Sequence, residues 1–378
     1  MSFEIRINGQ PFTLWKSATV QRSIDTNAGA FRFSNSTSSP VGTYPVKTGD
    51  FVEILISGKR KIAGFVDDIS GSQDSGSHTI EVSGRDNTAD LIDSSLPDSV
   101  KVIEGPISLK AMVEKIISSI SATISVSQNV FGLTDFDDEE LQAAGSGDSC
   151  MAHLVSFARK RQVYLVPDGA GGLIIYRPDK SNKASSPIVH KPNAQNNNVM
   201  SYSFQQSQQD RFNQYKCRSQ DNFGFSLLSD YFGHGTDRSD IAVDGQIRES
   251  RYREFQAEQA MGEKTCAQRA AEESNIRRAQ GITYTVSVPG VTQANGTLWD
   301  FGQFVDVRDD YAGISGLYLI KSVEYAVDVS SGTRTQLTCC PPDAYQVTAE
   351  PSPEDKRAAR TGAAYQNETP KTQGVVRR

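Results

Sequence analysis

With 378 residues the chain is too long for one ordinary core, and about 150 residues per domain predicts two or three domains. Lysine and arginine total 39 against 45 aspartates and glutamates, and the net charge of −6 argues against a general nucleic-acid binder, which would carry a basic face. The start MSFEIRING is not a secretory leader, no apolar run approaches the roughly 20 residues of a membrane span, and the five cysteines contain no CxxC pair, so they read as buried free thiols.

The first ninety residues read as strands. FEIRING-QPFTLW predicts a hairpin about Asn8-Gly9, a strong turn dipeptide. Further strands are predicted over residues 19–24, 30–34, 51–56, 61–67 and 78–83, joined by loops rich in Gly, Ser and Asp. Short strands without an intervening helix suggest a small barrel or sandwich.

The pattern changes after Gly84. Leu109, Met112, Val113, Ile116, Ile117 and Ile120 recur at three and four, which predicts an amphipathic helix just after Pro106 with Ser108 as its cap. A second helix is predicted over residues 149–161, with Met151, Leu154, Val155 and Ala158 on one face. It runs into VYLVPDGAGGLIIY, a hairpin with apolar arms and a glycine-rich turn. Residues 191–199, KPNAQNNNV, look like a connector. Strands resume over 199–205, 214–219 and 283–288, interrupted by a predicted helix over about 253–279 that is rich in Ala, Glu, Gln and Arg.

One repeat stands out. GDFVEI at Gly49 is echoed by GQFVDV at Gly302, IAGFVDDIS by GLYLIKSVE, and SHTIEVSGRD by TRTQLTCCPPD. Three matches in the same order, offset by about 253 to 257 residues, predict two related β units. The expected fold is mainly β with α+β. Residues 1–89 form a first barrel and 90–198 an α+β domain. Residues 199–349 form a second barrel with its helical insertion, and 350–378 a polar tail with little to bury.

Five places could carry chemistry. The histidines His78, His153, His190 and His234 lie in separate segments; His153, on a helix, is the best placed, and a partly buried helix histidine is the simpler reading. GAGG at Gly169–Gly172 joins two strands rather than opening a helix, which favours a turn over a phosphate cradle. DFDDEEL, residues 135–141, lacks the spacing of a calcium loop and reads as solvated. The arginines of 248–278 alternate with glutamates as i,i+4 pairs of a charged helix face, with a surface for an acidic partner or DNA as the alternative.

The fifth place is GRDNTADLIDSSL. Asp86, Asp90 and Asp93 are spaced four and three apart, so on a helix they would share a face and could hold a metal or a proton. The competing reading is a joint between strand and helix. In it Asp86 accepts from the Thr88 or Ala89 amide as a cap, Asp90 lies in the first turn, and Arg85 pairs with a carboxylate. With no histidine near and no second acidic motif, the joint reading is preferred.

This stretch closely resembles one in the Mu-type phage tail protein family, the baseplate hubs of contractile-tailed phages. The helix–hairpin unit SCMAHLVSFARKRQVYLVPDGAGGLIIY, the run FQQSQQDRFNQYKCRSQ and the helix before GQFVDV fit that family too, so the resemblance extends to about Pro342. It implies a structural hub, similar to the T-even phage hub and to the hub module of type VI secretion spikes. In that arrangement two barrels per chain and three chains make a pseudo-sixfold ring that joins tail tube to central spike. DNA passes through without specific binding. The implied setting is the tail baseplate of a virion, assembled in the bacterial cytoplasm and not inserted in a membrane. No catalytic, cofactor-binding or metal residue is assigned. The alternatives are a tail-associated cell-wall-degrading enzyme, for which no glutamate pair in an apolar cleft is visible, and the hub module of a secretion spike.

Overall fold

The computed structural model describes residues 3–37, 45–73, 78–138, 141, 143–145, 147–219, 238–256, 263–343 and 345. The chain divides into two compact units, one of residues 1–206 with 282–345 and one built on residues 207–281. The segment 350–378, expected to be a polar tail, lies outside the described residues, as does His234.

The first unit opens with β1 (Phe3–Ile7), β2 (Gln10–Phe12), β3 (Ser17–Ser23), β4 (Ala30–Thr37), β5 (Phe51–Ile56), β6 (Lys59–Gln73) and β7 (His78–Asp86). Asn8 and Gly9 both take positive φ, 50° and 79°, the backbone that a two-residue turn between twisted strands requires. Period-two burial makes the strands: in β5, Val52, Ile54 and Ile56 face the interior while Phe51, Glu53 and Leu55 are half-buried.

Next come α1 (Ala89–Asp93), α2 (Leu109–Ser119), β8 (Val126–Gln128), α3 (Cys150–Lys160), β9 (Tyr164–Pro167) and β10 (Leu173–Tyr176). The Ser108 and Ser149 hydroxyls accept from the amides of Ala111 and Ala152 at 3.2 and 3.1 Å, which satisfies orphan donors at both helix starts. β9 and β10 form the expected hairpin, and β8 adds to β10 in parallel. Met112, Val113 and Ile116 of α2 and Leu154 and Phe157 of α3 pack with Leu165, Leu173 and Ile175 in one apolar cluster.

The unit closes with β11 (Ile188–His190), β12 (Ser201–Gln206), and, after residues 207–281, β16 (Ile282–Pro289), β17 (Phe304–Asp309), β18 (Ile314–Asp328) and β19 (Gly332–Cys340); the second unit carries β13–β15, given below. One thirteen-stranded sheet runs β12-β16-β19-β18-β3-β4-β7-β6-β5-β1-β2, with β17 on β18 and β11 on β17. Apart from the parallel β11–β17 pair, its strands are antiparallel.

The sequence repeat is a structural one. The meander β5–β6–β7 has strands of 6, 15 and 9 residues, and so has β17–β18–β19. Both long strands carry a bulge at the same point, between Val66 and Asp68 and between Ile320 and Ser322. The glycines that open the two motifs, Gly49 and Gly302, take φ of 86° and 78°, and their amides donate to the carbonyls of Val66 and Ile320 at 2.8 and 2.7 Å. The likeness exceeds the three matched segments. β4 on β7 corresponds to β16 on β19, and β3 on β4 to β12 on β16, so each half contributes five equivalent strands. β18 and β3 join the halves, from Ser322 opposite Ser23 to Asp328 opposite Ser17.

The second unit holds β13 (Gln214–Ser219), β14 (Arg238–Val243), β15 (Tyr252–Gln256) and α4 (Glu263–Gly281). The insertion is therefore larger than the helix expected over 253–279, and Gln214–Ser219 belongs to it rather than to the strands of the repeat. Residues 253–256 are strand, not helix. Their alternation places them in parallel register along the open edge of β13, and ladder pairing there overrides the helical composition of the neighbouring segment. On α4 the expected i,i+4 pairs form, Arg269 and Arg277 both reaching Glu273, but they are only about 15% exposed rather than solvated. The unit's buried cluster is small: Tyr215, Cys217, Cys266 and Ala270. The guanidinium groups of Arg251, Arg253 and Arg277 stack over Phe212, and that of Arg269 over Phe255.

Candidate functional site

The three aspartates of GRDNTADLID do not share a helix face. Asp86 ends β7 and α1 begins only at Ala89, so their carboxylates face different partners. Asp86 is 1% exposed; one oxygen accepts from the Thr88 amide at 3.1 Å and from the Thr88 hydroxyl, the other from the Gly29 amide at 2.8 Å. Thr88, rather than Asp86, holds the N-cap position and offers α1 no side-chain bond. Asp86 therefore does more than cap. It ties the end of β7 to the loop before β4 and turns the chain toward α1. Burial pushes its carboxyl up to about 6, against the opposing effect of these donors.

Arg85, on the opposite face of the strand, donates to Asp67 at 2.8 Å and to Asp93 at 2.6 Å. Its hydrogen bond holds the Asp93 carboxyl below the usual range, while burial and then Asp93 raise that of Asp90. A guanidinium already occupies the place between the exposed carboxylates. The arrangement is a pinned corner between sheet and helix.

Sequence reasoning missed a second constellation. Arg22 of β3, 3% exposed, donates to Asp300 at 3.1 Å and to the Pro167 carbonyl at 2.9 Å, and lies 4.7 Å from the Phe301 ring centre. Lys61 of β6 reaches the other oxygen of Asp300 at 2.5 Å. Burial lowers the Lys61 pKa although Asp300 opposes it. Burial also works to raise that of Asp300, but the two cations outweigh it and leave it lowered. This brace joins both halves of the sheet at one carboxylate, and Arg22 ties in the β9–β10 hairpin through the Pro167 carbonyl. A signal was present: Arg22 shares the inward parity of Ala18 and Val20, an improbable place for a charge without a partner.

The same signal marks Asp309, which shares the parity of Val305 and Val307. Its buried carboxylate accepts from the Tyr284 hydroxyl at 2.6 Å and the Ala312 amide at 2.9 Å, and lies 3.2 Å from His190 Nδ1. Burial, and then the hydrogen bond to Asp309, push the Tyr284 phenol far up, which suits a donor and not a nucleophile. The arrangement fixes β11 to β16 and β17. His153 packs edge-on against Phe157 within the α+β core, and burial lowers its pKa. Gly169 and Gly171 take φ of 80° and 94°, as turn residues between β9 and β10. In the acidic run, Arg161 holds the backbone carbonyls of Thr134 and Asp135, and Asp138 accepts from the Gly105 amide; residues 139 and 140 lie outside the described residues. All five cysteines are buried, and burial pushes the Cys340 thiol up to about 12.

The chain is similar to known phage baseplate and tail proteins. Residues 2–86 match the family model of the Mu phage baseplate assembly protein GpP-like, N-terminal, and residues 277–340 that of the tail protein C-terminal domain. The baseplate hub protein gp44 of Escherichia phage Mu is 24% identical over 366 residues, covering 93% of this chain and 91% of that protein. Two solved structures share the fold: the 43 kDa tail protein of prophage MuSo2 from Shewanella oneidensis, with TM-score 0.77, 23% identity and coverage of 92% of this chain and 100% of that one, and a tail protein from Neisseria meningitidis MC58, with TM-score 0.76, 18% identity and coverage of 91% and 97%.

Proposed function

We infer that this chain, a relative of the Mu-type phage tail proteins, is a structural baseplate hub of a contractile tail. The observation that carries the reading is the internal repeat. A ring that must meet sixfold symmetry on one side and threefold on the other needs two similar units in each of three chains, and this chain has two five-strand halves. In this reading each half is one barrel, three chains close into a pseudo-sixfold ring, and the ring joins the tail tube to the central spike within the virion, after assembly in the host cytoplasm. Neighbouring baseplate proteins are its partners. DNA passes through the opening, and the net charge of −6 spares it the phosphate contacts that would hold it there.

The role is non-catalytic, in keeping with relatives that are named as baseplate and tail proteins. The titratable groups brought together here, Arg22–Lys61–Asp300 and His190–Asp309–Tyr284, are paired with one another. Light scattering should give about three times the chain mass of 41.3 kDa, alone at micromolar concentration or with the spike protein present. A strict monomer in the presence of spike and tube proteins would sink the hub reading. Clearing of a peptidoglycan suspension would instead establish the enzyme.

A further inference from the structure

Within one chain the second half offers a slot and the first half fills it. β18 is longer than the partner β17, which covers one side of it only as far as Leu319. From Ser322 to Asp328 that side is taken by β3, while β19 lies on the other. Under this cover no residue of 322–328 is exposed, and Ala18 and Val20 of β3 are 1% and 0% exposed.

The first half has the same slot, with no strand in it among the described residues. β5 covers β6 only as far as Phe65, and β7 pairs with the other side through Gln73. Asp68–Gln73, equivalent to Ser322–Val327, has no second strand among the described residues, and all but Ile69 of it is exposed. The second half has the matching strand, also uncovered. β12 corresponds to β3, ends the sheet, and is exposed along its whole length, with Phe204 at 51% where the equivalent Val20 is at 0%. Neither segment, DISGSQ or SYSFQQ, carries a lysine, arginine or proline, the usual guards of a sheet edge.

We propose that β12 of one copy adds antiparallel to Asp68–Gln73 of the next copy, repeating between chains the β3–β18 junction within the chain. Transferring that register sets Gln206 opposite Ile69, Phe204 opposite Gly71 and Tyr202 opposite Gln73. Phe204 then covers a glycine above which there is open space, since a Cβ there would meet only the Thr79 carbonyl oxygen at 3.9 Å. The two edges are different surfaces of the chain, so the contact is heterologous and closes only as a ring. The number of copies rests on the hub reading above; the pairing and its register rest on the repeat alone.

The test uses the full chain with Ser72→Cys and Ser203→Cys, residues opposite each other in this register, against a background of buried native thiols. Mild oxidation under the conditions in which light scattering reports the oligomer should give a ladder ending at the closed ring for the double variant. Neither single variant should cross-link, and their equimolar mixture should stop at the dimer. Ser70→Lys with Ser72→Lys, both at exposed positions, should leave near-ultraviolet circular dichroism unchanged and abolish the oligomer. An intact trimer without cross-links, one that survives the lysine pair, or cross-linking by a single variant overturns the edge pairing and leaves the hub standing. A monomer under every condition overturns both.

Discussion

The two halves of the large sheet share the strand lengths of their meanders, the bulge in each long strand and a positive-φ turn glycine, yet fill equivalent core positions differently. Where the first half has Phe31 and Ile56, both buried, the second has Tyr284 and Asp309, joined by a hydrogen bond and extended to His190. Where the first has Gly64 and Gly84, the second has Tyr318 and Cys339. Their outer neighbours differ as well: β1 runs antiparallel to β5, whereas β11 runs parallel to β17. Side-chain parity, a bulge and a positive-φ glycine suffice to keep the topology, while the core behind it is filled in two chemically different ways.

The largest expected effect breaks the comparison at the glycines. A Cβ on Gly84 would lie 2.0 Å from the Phe65 carbonyl oxygen and 2.6 Å from the Phe31 ring, so two backbones must separate. Gly84→Ala should cost about 4 kcal/mol or more. Cys339→Ala, at the equivalent place, removes one buried heavy atom for about 1 kcal/mol. Urea midpoints read both, and equal costs would show that the halves are packed alike.

A smaller effect lies where the halves are clamped. Asp300→Asn leaves Arg22 and Lys61 without their shared counter-charge and should cost about 3 kcal/mol at pH 7 in the same measurement. A loss below about 0.5 kcal/mol would reduce the brace to an ordinary surface pair.

Asp86 has no counterpart, because the second half continues there into Pro341. Both its oxygens accept hydrogen bonds, so Asp86→Asn should be damaging, by about 1–3 kcal/mol, and Asp86→Ala at least as much. The raised carboxyl adds a pH dependence. Between about 4 and 6 the native state binds a proton that the unfolded chain has released, so this group's contribution to stability is complete below that window and lost as pH rises through about 6. Relative to Asp86→Asn, the natural protein should gain about 2–3 kcal/mol on acidification from pH 7 to 4. A flat difference between the two, followed by urea titration at each pH, would remove burial as the controlling effect.

The smallest effect exchanges the two core chemistries. Tyr284→Phe strips Asp309 of its phenol donor and should cost about 1–2 kcal/mol, and Phe31→Tyr should cost a similar amount by burying a hydroxyl in an apolar place. If Phe31→Tyr were neutral, the first half would have to supply a hidden acceptor.

What the sequence determined by itself was everything local or periodic. The Asn8-Gly9 turn, the Ser108 cap of α2, the β9–β10 hairpin and the repeated meander each depend on residues a few positions apart, where φ preference, capping and alternation act directly. Tertiary structure decided the rest. The ends of Ser322–Asp328 and β3 meet across some three hundred residues, and Arg22 finds Asp300 across 278, at distances where no spacing rule operates. Composition favoured helix at 253–256, but the open edge of β13 supplied a ladder that local propensity could not outweigh. Asp86, Asp90 and Asp93 were spaced for one helix face, yet β7 held its register through Asp86 because Gly29 and Thr88 offered that buried carboxylate its donors there. A charge at an inward parity announces that a partner exists, and only the folded chain says which one.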